Sequence, residues 1–126
     1  MARFFWVCFA GGVGTGARYL LSGWVQRKLG PAFPLGTLAV NVLGCLVIGL
    51  LSQLGESRGA LTPETRAFFV IGVLGGFTTF SSFGNETMNL WRDGESFLGF
   101  LNIAGQLVLG LGAVWLGRFL GNKIWG

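Results

Sequence analysis

The amino-acid sequence predicts an all-α integral membrane protein with four transmembrane helices, the third broken near Gly75–Thr79, assembled as an antiparallel, dual-topology homodimer. Three observations point there. The 126 residues are 52% hydrophobic and only 11% charged, with mean hydropathy +0.64, whereas an ordinary soluble domain carries roughly 25% charged residues. So short a chain buries too small a share of its surface to hide that much apolar area in a water-soluble core. The apolar residues fall in four runs, about 4–24, 35–54, 67–90 and 97–120, each long enough to cross ~30 Å of hydrocarbon. Inside the third run, GGFTTFSSF (Gly75–Phe83) combines two adjacent glycines, four hydroxyls and three phenylalanines. The 126 residues read as one membrane domain whose first partner is the lipid bilayer.

Composition excludes several classes of function. The chain has no histidine, which removes imidazole chemistry and His-ligated metals. Cys8 and Cys45 lie in apolar stretches, where they suit small buried side chains better than a disulfide framework. The net charge is +4, but no basic cluster forms a phosphate-tracking patch, so nucleic acid is not an expected partner. No nucleophile–base pair or metal-ligand cluster stands out, and the chain does not read as an enzyme.

The first run opens with Arg3 and an apolar stretch, as a signal peptide does. It continues past the usual h-region of about 7–15 residues and shows no clear small-residue cleavage site before a polar mature domain, which favours a retained span. Its GGVGTGAR segment (Gly11–Arg18) is rich in small residues that let helices approach closely. No strand precedes these glycines, so they are not a nucleotide-binding loop. Arg18 has two readings. It either snorkels to the headgroups, or it is an anchoring, anion-attracting charge at a vestibule.

Arg27, Lys28, Gly30, Pro31 and Pro34 mark the first loop. In the second run Thr37 and Asn41 are spaced i, i+4 and share a face. An Asn in mid-span either makes an interhelical hydrogen bond, worth about 1 kcal/mol or less, or lines a polar pathway as a donor. The loop Gly55–Arg66 is mixed in charge, and its Thr62-Pro63-Glu64-Thr65 signals a helix start with Thr62 as cap.

In the third run, Gly75-Gly76 weakens the helix, and Thr78, Thr79, Ser81 and Ser82 compete for freed backbone groups. Irregular backbone at membrane depth survives only where it is buried in protein or lines a cavity. It also turns carbonyl and amide dipoles inward, as intramembrane ion sites require. Phe77, Phe80 and Phe83 recur every three residues, an expected stack along one face. Glu86 and Asn89 follow, with Glu86 either a vestibule residue or an interfacial one. In the fourth run Asn102, Gln106 and Gly110 share a face, as glue between helices or one wall of a polar track. Lys123 and Trp125 suit interfacial anchoring.

Four spans place both termini and the 54–66 loop on one side. That side carries five basic residues (Arg3, Arg58, Arg66, Arg118, Lys123), against four on the other (Arg18 if interfacial, Arg27, Lys28, Arg92). Orientation follows the Lys/Arg bias, and so small a bias predicts insertion both ways round and pairing as an antiparallel homodimer. Two-fold dimers are the commonest assembly. With the axis in the membrane plane, broken segments from two copies would meet, and their carbonyl oxygens would suit a hard cation.

The chain resembles, over essentially its whole length, the Fluc family of bacterial fluoride ion channels. The motifs are Gly14-x-x-x-Arg18-Tyr19, Gly36-Thr37-Leu38-x-Val40-Asn41-x-x-Gly44 and Gly75-Gly76-Phe77-Thr78-Thr79-Phe80-Ser81-Ser82-Phe83. The resemblance implies a dual-topology homodimer in the bacterial cytoplasmic (inner) membrane, lowering cytoplasmic fluoride by passive efflux through two pores. It implies a central Na+ at the dimer interface, structural rather than transported, held by the backbone carbonyls of Gly75 and Thr78. Phe80 and Phe83 become the pore phenylalanines, whose electropositive ring edges face an anion. Asn41, Ser81 and Ser82 become donors along the pathway and Arg18 a vestibule residue; beside these, Thr37 is a pathway candidate and Glu86 a vestibule or anchor candidate. The fourth span departs from the family pattern, with Asn102 and Gln106 where relatives often carry Tyr, Ser or Thr. Amides can donate to an anion as hydroxyls do.

The alternative is a small multidrug-resistance-type, proton-coupled transporter, which needs a membrane-embedded carboxylate. The first run has no Asp or Glu, which counts against it. A further alternative is an accessory subunit whose polar faces only glue helices together.

Overall fold

In the computed structural model, which describes residues 1–126, every regular element is helical. The elements are α1 (Ala2–Leu29), α2 (Leu35–Arg58), α3 (Pro63–Arg66), a wider, π-type segment (Ala67–Leu74), α4 (Gly75–Phe77), α5 (Phe80–Arg92) and α6 (Ser96–Trp125). Each long helix outruns its apolar run, because helical hydrogen bonding continues where the side chains turn polar. Three stretches, Leu35–Arg58, Pro63–Arg92 and Ser96–Trp125, are apolar enough and long enough to cross a membrane. At 24 residues α2 spans about 36 Å. The 28-residue α1 has the length but falls short of their apolarity, with Arg18 inside it and Arg27 and Lys28 in its last turn.

Local chemistry sets the boundaries. Thr62 caps α3 by accepting the Thr65 N–H at 3.1 Å, and Pro63 occupies the first turn, as the sequence predicts. α2 stops at Gly59, which turns left-handed at φ 60°. α4 ends at Thr78, extended at φ −95°, ψ 157°. Thr79 is extended too, at φ −150°, ψ 116°, and α5 begins at Phe80.

Polar contacts fix the ends of the bundle. Arg3 pairs with Glu64, Arg118 Nη1 reaches Glu56 Oε1 at 2.9 Å, and Arg58 Nε donates to the Trp125 carbonyl at 3.0 Å. The two ends of the chain and the 59–62 turn therefore lie together. At the opposite end the Gln26 amide donates to the carbonyls of Gly30 and Phe33 and accepts the Gly36 N–H, tying α1 to the start of α2.

Backbone proximity, rather than large side chains, holds the helices side by side. α2 packs most extensively on α6, where a methyl group at Gly49 would overlap the Val114 carbonyl and one at Gly117 the Leu46 carbonyl. α1 meets the π-type segment and α4 in the same way, through Gly14 against Val73 and Gly76 against Gly11. Small residues allow this approach in a medium that gives helices no hydrophobic drive to associate. Consequently the largest fully buried side chains are only Val40 and Asn102, and big apolar groups such as Phe4, Trp6, Phe9, Leu111 and Trp115 cover the outside.

One expectation fails. Phe77, Phe80 and Phe83 do not form one stack, because spacing i, i+3 aligns residues only along a continuous helix. The extended Thr78 and Thr79 intervene. Phe77 lies beside Gly44 of α2, while Phe80 and Phe83 pair on α5 with ring centroids 5.4 Å apart.

Candidate functional site

The interruption is held from two neighbouring helices. The Asn41 side chain on α2 accepts the Thr79 N–H at its Oδ1 (2.8 Å) and returns a hydrogen bond from Nδ2 to the Thr79 carbonyl (3.0 Å). This reciprocal pair replaces the intrahelical bonds that the extended backbone cannot make. On α1, Arg18 Nε donates to the Gly76 carbonyl at 2.9 Å. That places a cation at the C-terminal end of α4, where exposed carbonyls are negative. Arg18 thus sits on the broken segment itself, rather than reaching away from it to the headgroups.

Most of the hydroxyl cluster shapes the start of α5. Thr79 Oγ1 accepts the Ser82 N–H at 3.2 Å, lies 3.4 Å from Ser81 Oγ and donates to Ser82 Oγ at 3.1 Å. Thr79 is therefore the N-cap of α5, as a threonine three residues before a backbone donor can be. Thr78 Oγ1 instead folds back onto the Leu74 carbonyl at 3.0 Å, and its methyl group fills the space left by Gly44. The capping signature was legible in Thr79-Phe80-Ser81-Ser82, but hydroxyls read as pathway donors conceal it.

A cleft of about 440 Å³ opens beside the break. Its walls include Asn41 and Cys45 from α2, Gly75, Thr78 and Thr79 from the break, Phe80 and Phe83 from α5, and Gln106 from α6. Phe80 is 82% exposed in the single chain. Asn41 Nδ2 also donates to Gln106 Oε1 at 3.0 Å, and Gln106 Nε2 is buried without a hydrogen-bond partner. Among the predicted residues, the structure thus gathers Asn41, Gly75, Thr78, Phe80, Phe83 and Gln106 in one place.

The remaining candidates lie elsewhere. Asn102, 0% exposed, donates to Thr87 Oγ1 at 2.9 Å, and Thr87 in turn donates to the Phe83 carbonyl at 2.8 Å. This strap fastens α6 to α5, so the two amides of α6 have different surroundings although they share a face. Thr87 carries no signal of that role in the sequence. Thr37 donates to Glu86 Oε1 at 2.6 Å, and Glu86 Oε2 is buried without a partner. Glu86 lines a second, more polar cleft of about 370 Å³ with Gln26, Asn89 and Asp93.

For a hard cation, the relevant chemistry is which carbonyls are still free to turn outward. The carbonyls of Gly76 and Thr79 are taken by Arg18 and Asn41. Gly75 and Thr78 line the cleft, and Gly75 is exposed, with only the Val70 carbonyl in ordinary contact range of where a side chain would stand. Two carbonyl oxygens from one chain underfill the coordination sphere of such an ion, and a symmetry-related copy would double the set. The donor set therefore fits a cation shared between copies.

Fold and site together define a multi-pass membrane protein with a largely apolar cleft beside interrupted helical backbone. The chain matches the family described as CrcB-like protein, Camphor Resistance (CrcB), over residues 5–118. It is 43% identical over 124 residues to a protein of Sorangium cellulosum, covering 98% of each chain. It is 45% identical over 122 residues to one from Desulforapulum autotrophicum, covering 97% of this chain and 98% of that one. A relative from Opitutus terrae is 45% identical over 120 residues, 94% of this chain and 91% of that one. All three are named fluoride-specific ion channel FluC. The chain belongs to the CrcB-like family.

Proposed function

We propose that this protein is a fluoride channel of the bacterial cytoplasmic membrane, letting the anion leave the cell passively, and that it is not an enzyme. One observation carries the reading beyond the names of its relatives. The paired rings of Phe80 and Phe83 and the unpartnered amide nitrogen of Gln106 meet in a single cleft. A small, strongly hydrated anion crosses a low-dielectric layer only if donors replace its water, because an uncompensated charge there is very costly. Ring edges carry positive potential and the amide carries N–H donors. Both favour an anion, and neither has a proton to exchange.

The functional unit is an antiparallel homodimer with two pores, and the carbonyls of Gly75 and Thr78 from both copies hold a structural Na+ at its centre. The ion would tie the two copies together. Four spans cross the membrane, including α1, and the basic residues at their two ends are nearly balanced. With Arg18 drawn inward to Gly76, the end opposite the chain termini keeps three, Arg27, Lys28 and Arg92, against five at the other, still a small bias. Cysteine or tag accessibility at the C-terminus in intact cells and inverted vesicles tests this. A single orientation would rule the antiparallel dimer out.

Ion efflux from proteoliposomes of the purified protein tests the function. Passive fluoride release without chloride release is expected. Proton-coupled drug movement would instead assign the chain to the multidrug-transporter class, and no flux of either kind would leave it an accessory subunit.

A further inference from the structure

We propose that Gly44 is a positioning residue for the cation site: it seats the methyl group of Thr78, and this seat, with the hydroxyl tether to Leu74, holds the Thr78 carbonyl in place as a ligand. The inference rests on the structural Na+ reading above and names the groups that keep one of its oxygens still.

Every group of Thr78 except its carbonyl has a fixed neighbour. The N–H donates to the Leu74 carbonyl at 3.0 Å, and Oγ1 donates to the same oxygen at 3.0 Å. The Cγ2 methyl occupies the space where a side chain at Gly44, buried on α2, would stand. Both substituents on the threonine Cβ are thus engaged at once, and a β-branched side chain has a single stiff torsion to settle them. Fixing Cβ fixes the Cα that carries the carbonyl. The following peptide is held as well, because the Thr79 N–H donates to Asn41 Oδ1 at 2.8 Å. In a planar trans peptide the carbonyl points opposite to the N–H that follows it, so the Thr78 oxygen is turned away from Asn41. In a continuous helix that N–H would close on the Gly75 carbonyl, so its diversion also leaves the Gly75 oxygen uncommitted.

The consequence is a cation ligand held by shape. A methyl group at position 44 and the methyl group of Thr78 would claim the same space. Displacing the threonine methyl either swings Oγ1 off the Leu74 carbonyl or moves the main chain that bears the ligand. Oxygen sites for hard cations owe their affinity partly to rigidity. An oxygen that must be ordered at the moment of binding lowers that affinity, whereas one already fixed does not. Gly44 therefore serves the cation site although it supplies no ligand, and the extended geometry of Thr78 depends on a glycine 34 positions earlier in the chain.

A complementary swap tests it, read by Na+ dependence of thermal melting with N-methylglucamine holding the ionic strength constant. The wild-type melting temperature should climb with Na+ once the concentration passes Kd, as for a ligand bound only by the folded state. In Gly44→Ala that climb should begin at a Na+ concentration at least about tenfold higher, which is about 1.4 kcal/mol of binding free energy. Thr78→Ser lacks the methyl group and makes room for the added one, so Gly44→Ala combined with Thr78→Ser should recover most of the shift. An onset unmoved in Gly44→Ala, however far its melting temperature falls, reduces the contact to packing and overturns the proposal. A double variant no better than Gly44→Ala overturns it too. Thr78→Val keeps the methyl and cuts the tether, and it carries the test if Gly44→Ala does not fold. Its onset should also rise, and an unmoved one refutes the role of the tethered side chain. A wild-type melting temperature that responds to N-methylglucamine as it does to Na+ contradicts the sodium reading itself, and the positioning role with it.

Discussion

Arg18 Nε donates to the carbonyl of Gly76 at 2.9 Å, joining the middle of one helix to the end of another 58 residues away. Its counterpart is the Asn41 clamp on Thr79, so the two sides of the interruption are held from α1 and from α2. Backbone that leaves helical geometry inside a membrane loses its internal partners, and lipid supplies none. Here side chains from neighbouring helices supply them. The interruption is thus a tertiary feature as much as a local one.

Arg18→Ala removes that donor and exposes the end of α4. Loss of a hydrogen bond to a charged group costs about 1.5–3 kcal/mol, and the variant should unfold earlier in detergent by thermal melting. A melting temperature equal to wild type would mean that the Gly76 carbonyl finds another partner.

Thr79→Ala deletes the N-cap of α5 while keeping the main-chain pair with Asn41. The expected loss is about 1 kcal/mol, and Thr79→Ser, which retains the oxygen, should recover most of it. Denaturant unfolding of the three proteins checks both statements, and equal losses for Ala and Ser would count against the cap.

Phe80→Ile and Phe83→Ile replace ring edges by aliphatic groups of similar polarity. Each should abolish fluoride flux from proteoliposomes while the protein still elutes at the wild-type position in size-exclusion chromatography. Flux at the wild-type level would remove the rings from the pathway.

Gly117→Ala sets a methyl group against the Leu46 carbonyl at the α2–α6 seam. Alanine is the better helix former, so helix propensity alone predicts stabilisation. Overpacking of this kind typically costs 1–3 kcal/mol, and net destabilisation in thermal unfolding is the expected sign. A more stable variant would show that the two helices can move apart freely.

Much of the site was legible because its chemistry is anomalous where it stands. Glycine pairs, amides and hydroxyls in an apolar run each demand a partner, and Asn41, Gln106 and the Gly75–Phe83 stretch stand out on that ground alone. What misled was the assumption that helical spacing carries through the interruption. It grouped Phe77 with Phe80 and Phe83, which the extended Thr78 and Thr79 separate. Asn102 and Gln106 look alike at i, i+4, yet one is wholly buried against Thr87 and the other lines the cleft.

By itself the sequence determined the solvent, the helical class and the place where the backbone would be under stress. Those are properties of composition and of residues close together in the chain. Tertiary structure alone decided which partner each polar group takes. Asn41 could satisfy its amide with many groups, and it meets Thr79, 38 residues away, and Gln106, 65 residues away. Hydrogen bonds are directional and reach about 3 Å, so their pairing depends on how closely the helices approach. That approach is set by the glycine contacts between helices, which bring together residues far apart in the chain.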